Sequence, residues 1–205
     1  ALSLTLTQHW IEDVADLVRL TNNNGTPGDP SDDTFFDAPG NIGDGRATSL
    51  DVNFNAPLSP IIPGGRVTIR GYLWDTEVTD PVTGQDRIIS YRPESEINIE
   101  FSKDCPRPLM DWGVNFFNQV LFKDSAFTEI DTGEEGPWVD IFWETTALPN
   151  NIRLRLWAAN AFDGTITRVR HFYAPDRNGP RVRTDLRERQ FAEAPWFIAQ
   201  ISGTF

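Results

Sequence analysis

VTIRGYLW, residues 67–74, alternates apolar and polar side chains, reaches an aromatic pair, and then breaks into Asp75, Glu77 and Asp80. Period-two alternation marks a strand with one face buried, so the stretch reads as a β-strand that delivers oxygen ligands to its end. The same unit occurs twice more. LSLTLTQHW, residues 2–10, leads into Glu12, Asp13 and Asp16, and IRLRLW, residues 152–157, leads into Asn160 and Asp163. The spacing of the three is irregular, which excludes the fixed period of a solenoid or propeller. If the three strands run the same way, their acidic ends share one pole of a sheet.

Outside these units, proline and glycine punctuate the chain at Pro57, Pro60, Pro63-Gly64-Gly65, Pro81, Gly84 and Pro93. Such spacing favours short strands and leaves little room for long helices. Further strands are predicted over residues 47–55, 87–91, 96–102, 112–123, 126–131, 137–144, 165–173 and 195–201. Residues 21–46, rich in Asn, Gly, Pro and Asp, are predicted to form a long acidic loop after the first strand, with Phe35 and Phe36 packing part of it down. Residues 183–194 carry the one partly helical spacing, through Leu186, Gln190 and Phe191. The expected fold is therefore all-β: a single antiparallel β-sandwich domain over residues 1–205, with Greek-key or jelly-roll connections and at most one short helix.

Charge narrows the partners. The 205 residues carry a formal net charge of -12, which opposes a nucleic-acid backbone or an anionic membrane surface. No stretch approaches the roughly 18–20 apolar residues of a membrane-spanning helix. Of the 18 basic side chains only Lys103 and Lys123 are lysines. Cys105 is the one cysteine, so no disulfide framework within the chain exists, and compartment is left open. The start at Ala1 fits a chain matured by signal removal as well as one trimmed otherwise. Asn24-Gly25-Thr26 matches a glycosylation acceptor.

Three kinds of chemistry are available. Ca²⁺ takes six to eight oxygens at about 2.3–2.6 Å, and carboxylates on adjacent loops supply them. Asp13, Asp16, Asp75, Glu77, Asp80, Asp86 and Asp163 are the expected ligands. Strands feeding acidic loops at one end resemble the general design of C2-type calcium-binding β-sandwiches, and the resemblance covers those three units alone. Catalysis finds less support. His9 and His171 each sit inside a predicted strand beside an aromatic residue, and neither G-x-S-x-G nor H-E-x-x-H is present. Glu144, in WVDIFWE at residues 138–144, is the carboxylate to consider for glycoside hydrolysis. Trp112, Trp138 and Trp196 lie near chain breaks where a ring can be exposed for a sugar or a protein partner.

Arg168, Arg170, Arg177, Arg181, Arg183, Arg187 and Arg189 gather positive charge late in an acidic chain. Pairing with carboxylates of the same molecule is the simpler expectation; a head-to-tail contact of Arg183, Arg187 and Arg189 with the acidic pole of another copy is the alternative. The function expected from all this is a non-catalytic extracellular or surface-associated module that binds or assembles, stabilised by Ca²⁺ at its acidic loops. Its partner is another copy, another surface protein or a glycan. A structural subunit of a filament, coat or appendage and a carboxylate-based glycoside hydrolase are the alternatives.

Overall fold

The structure, a computed structural model, describes residues 1–90, 93–107, 109–149, 152–190 and 195–203. The fold is all-β and antiparallel, as the alternation requires. Among the described residues thirteen strands form: β1 Leu2–Ile11, β2 Ala15–Asn22, β3 Thr34–Asn41, β4 Gly45–Pro57, β5 Gly65–Thr79, β6 Asp86–Arg87, β7 Ser95–Pro106, β8 Leu109–Ser125, β9 Glu129–Thr145, β10 Arg153–Ala159, β11 Thr165–Tyr173, β12 Arg181–Gln190 and β13 Trp196–Ser202. One large sheet of eleven strands has a main path of eight, β1-β4-β5-β7-β8-β9-β10-β13, with β6 beside β5 and β11 and β12 branching from β9, and β2 and β3 make a small second sheet. Successive strands of that path follow chain order, so the connections are up-and-down, with hairpins inserted between neighbours.

The large sheet forks on β9. Residues 141–145 of β9 pair with β10, while residues 129–135 pair with β11, which in turn carries β12. Register shifts on β8 between Phe117 and Gln119 and between Val120 and Phe122 lie where the two branches separate. Pro137 has no N–H to give a ladder, so Gly136-Pro137 falls at the interruption of the β8–β9 pairing between Glu135 and Trp138.

Two sequence readings change here. Residues 183–190 form part of β12, not a helix, because the ladder with β11 satisfies their backbone groups and intrinsic helix preference is a weak prior; residues 191–194 lie outside the described residues. The acidic segment 21–46 holds strand β3, and its loop proper is residues 23–33, with a short 3-10 turn at Pro30–Asp32. Phe35 and Phe36 are not packed down. Neighbours on a strand point to opposite faces, and both rings are exposed on β3.

Register places the residues of the large sheet on two faces. One face carries Leu2, Leu4 and Leu6 on β1, Leu50, Val52 and Phe54 on β4, and Val67, Ile69 and Leu73 on β5. It continues through Ile97, Ile99 and Phe101 on β7, Val114 and Phe116 on β8, Val139 and Ile141 on β9, Leu154 and Leu156 on β10, and Phe197 and Ile201 on β13. The opposite face is mixed, with Ser, Thr, Asn, Asp and Arg at about half of its positions and the rings of Tyr72, Trp74, Phe117, Trp138, Phe142 and Trp157 among the rest. Its end at Ala47, Thr76 and Val78 is buried, and there Val14, just before β2, packs with Val78 and Ile89.

Glycine positions test the packing of the sheet. A Cβ on Gly113 would lie 2.5 Å from the Phe101 carbonyl oxygen and 2.5 Å from the Phe142 ring, whereas on Gly71 its nearest neighbour is Val52 at 3.6 Å. Backbone cannot step aside as a side chain can, so Gly113→Ala is expected to cost about 1–3 kcal/mol and Gly71→Ala to be neutral or stabilising. Denaturant melts of the two variants check this; equal midpoints contradict it.

Candidate functional site

The three strand units do run the same way. β1 and β5 are separated by two antiparallel steps and β5 and β10 by four, so all three point to one end of the sheet. They do not converge. At about 4.8 Å per strand the steps put roughly 10 Å and 19 Å between them, far beyond what one ion spans.

Each expected ligand has its own place. Asp16 and Asp80 are brought together, but around guanidinium groups. Arg87 Nη1 donates to Asp16 Oδ2 at 2.8 Å and Nε to Asp80 Oδ2 at 2.5 Å, and Arg177 Nη2 lies 2.6 Å from the same Asp80 oxygen. The Val82 and Thr83 N–H groups donate to Asp80 Oδ1 at 2.7 and 2.9 Å, and Leu17 and Ser90 N–H groups bond Asp16 at 2.7 and 2.9 Å. All four charged side chains are buried or nearly so. Burial alone would push the Asp80 carboxyl up; the Thr83 N–H, the Arg177 guanidinium and the Val82 N–H outweigh it and hold it below the ordinary carboxylate range.

The remaining ligand candidates are dispersed. Glu77 pairs with Arg46 across β4 and β5, and Asp86 accepts from Thr79 Oγ1 at 3.1 Å. Asp75 is exposed on β5. Asp13 and Asp163 both adopt positive φ, 57° and 54°, a conformation Asp and Asn tolerate better than other side chains, so turn geometry accounts for their residue type. Among the described residues no group of three or more His, Cys, Asp or Glu side chains is arranged to hold a metal ion.

Carboxylates do meet on the mixed face, at positions that no local motif marks. Asp104, Asp111, Glu144 and Arg155 are successive cross-strand partners on β7, β8, β9 and β10. The three carboxylates of this row edge a groove of about 460 Å³ that Arg66 and Glu100 also line. Trp143, its neighbour in sequence, points to the opposite face, and Glu144 lies 3.3 Å from Arg153. Burial, the Asp104 charge, a hydrogen bond with Asp104 and the Glu144 charge all push the Asp111 carboxyl above its ordinary value.

A raised folded pKa means stability that is fully present at low pH and lost as pH rises through it. Like charges directly opposite on adjacent strands cost about 0.2–1 kcal/mol, so Asp111→Asn is expected to stabilise the protein by that order at pH 7. The gain should vanish near pH 4. Thermal melts at both pH values check it, and destabilisation at pH 7 contradicts it.

The basic segment is largely self-paired. Arg168 bonds Asp131, Arg170 bonds Glu129 at 2.5–2.8 Å, and Arg183 lies 3.3 Å from Asp185 and over the Phe172 ring. Arg187 sits exposed on β12, and the side chain of Arg189 lies outside the described residues. Of the expected aromatic sites, Trp112 packs at a tilt against Phe101 on the apolar face, with centroids 5.4 Å apart. Trp138 donates to Asp140 at the fork, and Trp196 packs against Trp157, with centroids 6.2 Å apart.

The dominant feature is one that residue-by-residue motif reading missed. Among the described residues the buried apolar ones are Val14, Ala47, Val78, Ile89 and Ala159, and none of these lies on the apolar face of the large sheet. Trp10 on that face is 77% exposed, Leu6 73% and Phe197 82%. The chain exposes 12995 Å². A compact monomer of 23.1 kDa exposes about 9,700 Å², leaving an excess of roughly 3,300 Å². The signal was in the sequence as strands with one clean apolar face; what it lacked was a second layer large enough to cover them. Comparison with protein-family models, with curated proteins and with solved structures finds no match to this chain.

Proposed function

We propose that this protein is a non-catalytic assembly subunit whose large apolar sheet face is covered by a second copy of the same chain. The observation that carries the reading is the uncovered face itself. Monomeric proteins rarely expose contiguous apolar patches beyond a few hundred Å², and larger ones mark interaction surfaces. Two copies that each covered the excess of roughly 3,300 Å² would bury about 6,600 Å² between them, at or beyond the upper end of the 2,000–5,000 Å² total that obligate interfaces bury. Sheets pack face to face about 10 Å apart with interdigitating side chains, so two such faces complete one another as a sandwich.

A bilayer fits less well than a protein layer. On most strands the large apolar side chains of the face span about 7–20 Å at two residues per 6.8 Å, and only on β1, from Leu2 to Trp10 with Gln8 between, about 27 Å, while lipid-facing barrel bands are about 25 Å tall all round. Among the described residues no helix is long and apolar enough to cross a membrane. Molar mass by light scattering tests the proposal: multiples of 23.1 kDa at micromolar concentration are expected. A mass of 23.1 kDa across all concentrations removes it.

A further inference from the structure

The free edges of the sheets are treated unequally. β12, the edge of the second branch, reads RVRTDLRERQ and carries charge at six of its ten positions. β1, LSLTLTQHWI, and β13, WFIAQIS, form the two edges of the main path and carry no Asp, Glu, Lys or Arg at all. Both pair with their inner neighbour in unbroken register, without a bulge. Proteins ordinarily blunt exposed edges with charge, proline or a bulge, because unpaired N–H and C=O groups recruit another strand. This chain blunts β12 and leaves β1 and β13 bare.

Direction and phase match as well. Seven antiparallel steps separate β1 from β13, so the two edges run oppositely, and a neighbouring copy in the same orientation presents its β13 antiparallel to β1. Ala1 and Asn55 exchange backbone hydrogen bonds of 2.5 and 2.8 Å. The odd residues of β1 therefore bond β4, and the N–H and C=O groups of Leu2, Leu4, Leu6, Gln8 and Trp10 point outward. The side chains of Leu2, Leu4 and Leu6 share the apolar face with Phe197, Ala199 and Ile201, so the face continues across the junction.

We infer that β1 of one copy adds antiparallel beside β13 of the next, extending the large sheet from chain to chain. The inference rests on the reading of the chain as an assembly subunit, and names a contact distinct from the face-to-face one. Because the two edges differ, the contact is heterologous and propagates into a ring or a filament.

The test uses the full chain with Cys105→Ser. Leu4→Cys and Ala199→Cys, made in separate chains and mixed under oxidising conditions, are expected to give at least tenfold more disulfide-linked dimer than either alone. In parallel, Leu4→Pro removes an outward N–H and Leu4→Ala does not. Leu4→Pro is expected to abolish species larger than the face-to-face dimer, while Leu4→Ala retains them. A protein that assembles yet gives no mixed cross-link, with the Pro and Ala variants of equal size distribution, overturns the edge contact and leaves the assembly reading standing. A wild type that stays monomeric overturns both.

Discussion

Arg87→Met is expected to destabilise the protein by about 3–5 kcal/mol, the cost of removing one partner from a buried, hydrogen-bonded charge cluster. Arg87 touches both Asp16 and Asp80, at 2.8 and 2.5 Å, and methionine of similar length fills the space while leaving the buried Asp80 carboxylate to Arg177 and depriving the buried Asp16 carboxylate of its guanidinium. For a chain of this size such a loss lowers the melting temperature by about 6–20 °C. The cluster also joins the parts of the fold: Asp16 is on β2, Asp80 follows β5, Arg87 is β6, and Arg177 follows β11 and donates to the Ala126 carbonyl at 2.5 Å. Acid should act on the same place. The Asp80 carboxyl is held below its unfolded value of about 3.9, so its contribution is present above that pH and is lost as pH falls below about 4. Melts of wild type and Arg87→Met check both statements, and a variant within 1 kcal/mol of wild type would remove the cluster from its structural role.

The second large effect concerns assembly. Ile141→Asp with Leu156→Asp places two carboxylates at the middle of the apolar face, on the adjacent strands β9 and β10. Both positions are exposed in the single chain, 39% and 43%, so the fold should tolerate the charges. In a face-to-face contact each must be desolvated without a partner, at a cost of several kcal/mol, which corresponds to more than a hundredfold in association. Sedimentation velocity is expected to show the variant as a monomer with an unchanged melting temperature at low concentration. Assembly at wild-type concentrations would contradict it.

Period-two alternation made nearly every strand of the main sheet legible, because each has one apolar face. β2, β3 and β12 were less so. β12 carries charge on both faces, and its ladder with β11 decides its conformation; β3 lies in a segment whose Asn, Gly and Asp content reads as loop. The acidic residues were legible as a set but not in their roles. Asp16 and Asp80 neutralise Arg87 and Arg177, partners 71 and 97 positions away in the chain, and no local pattern encodes that distance. Asp111 became apparent only through register, which sets it between Asp104 and Glu144. The uncovered face follows from adding up the strands: eight one-sided strands in one layer need a second layer, and β2 with β3 supplies only a corner of it.

Thiol protection on the two sides of the sheet tests that account most directly. In chains with Cys105→Ser, Leu73→Cys reports the apolar face and Asn53→Cys the opposite one; both positions are exposed in the isolated chain. At concentrations where the protein is assembled, alkylation of Leu73→Cys is expected to slow at least tenfold relative to the dilute protein, while Asn53→Cys reacts at the same rate in both. Equal reactivity of Leu73→Cys at high and low concentration would contradict the covering of the apolar face by a second copy.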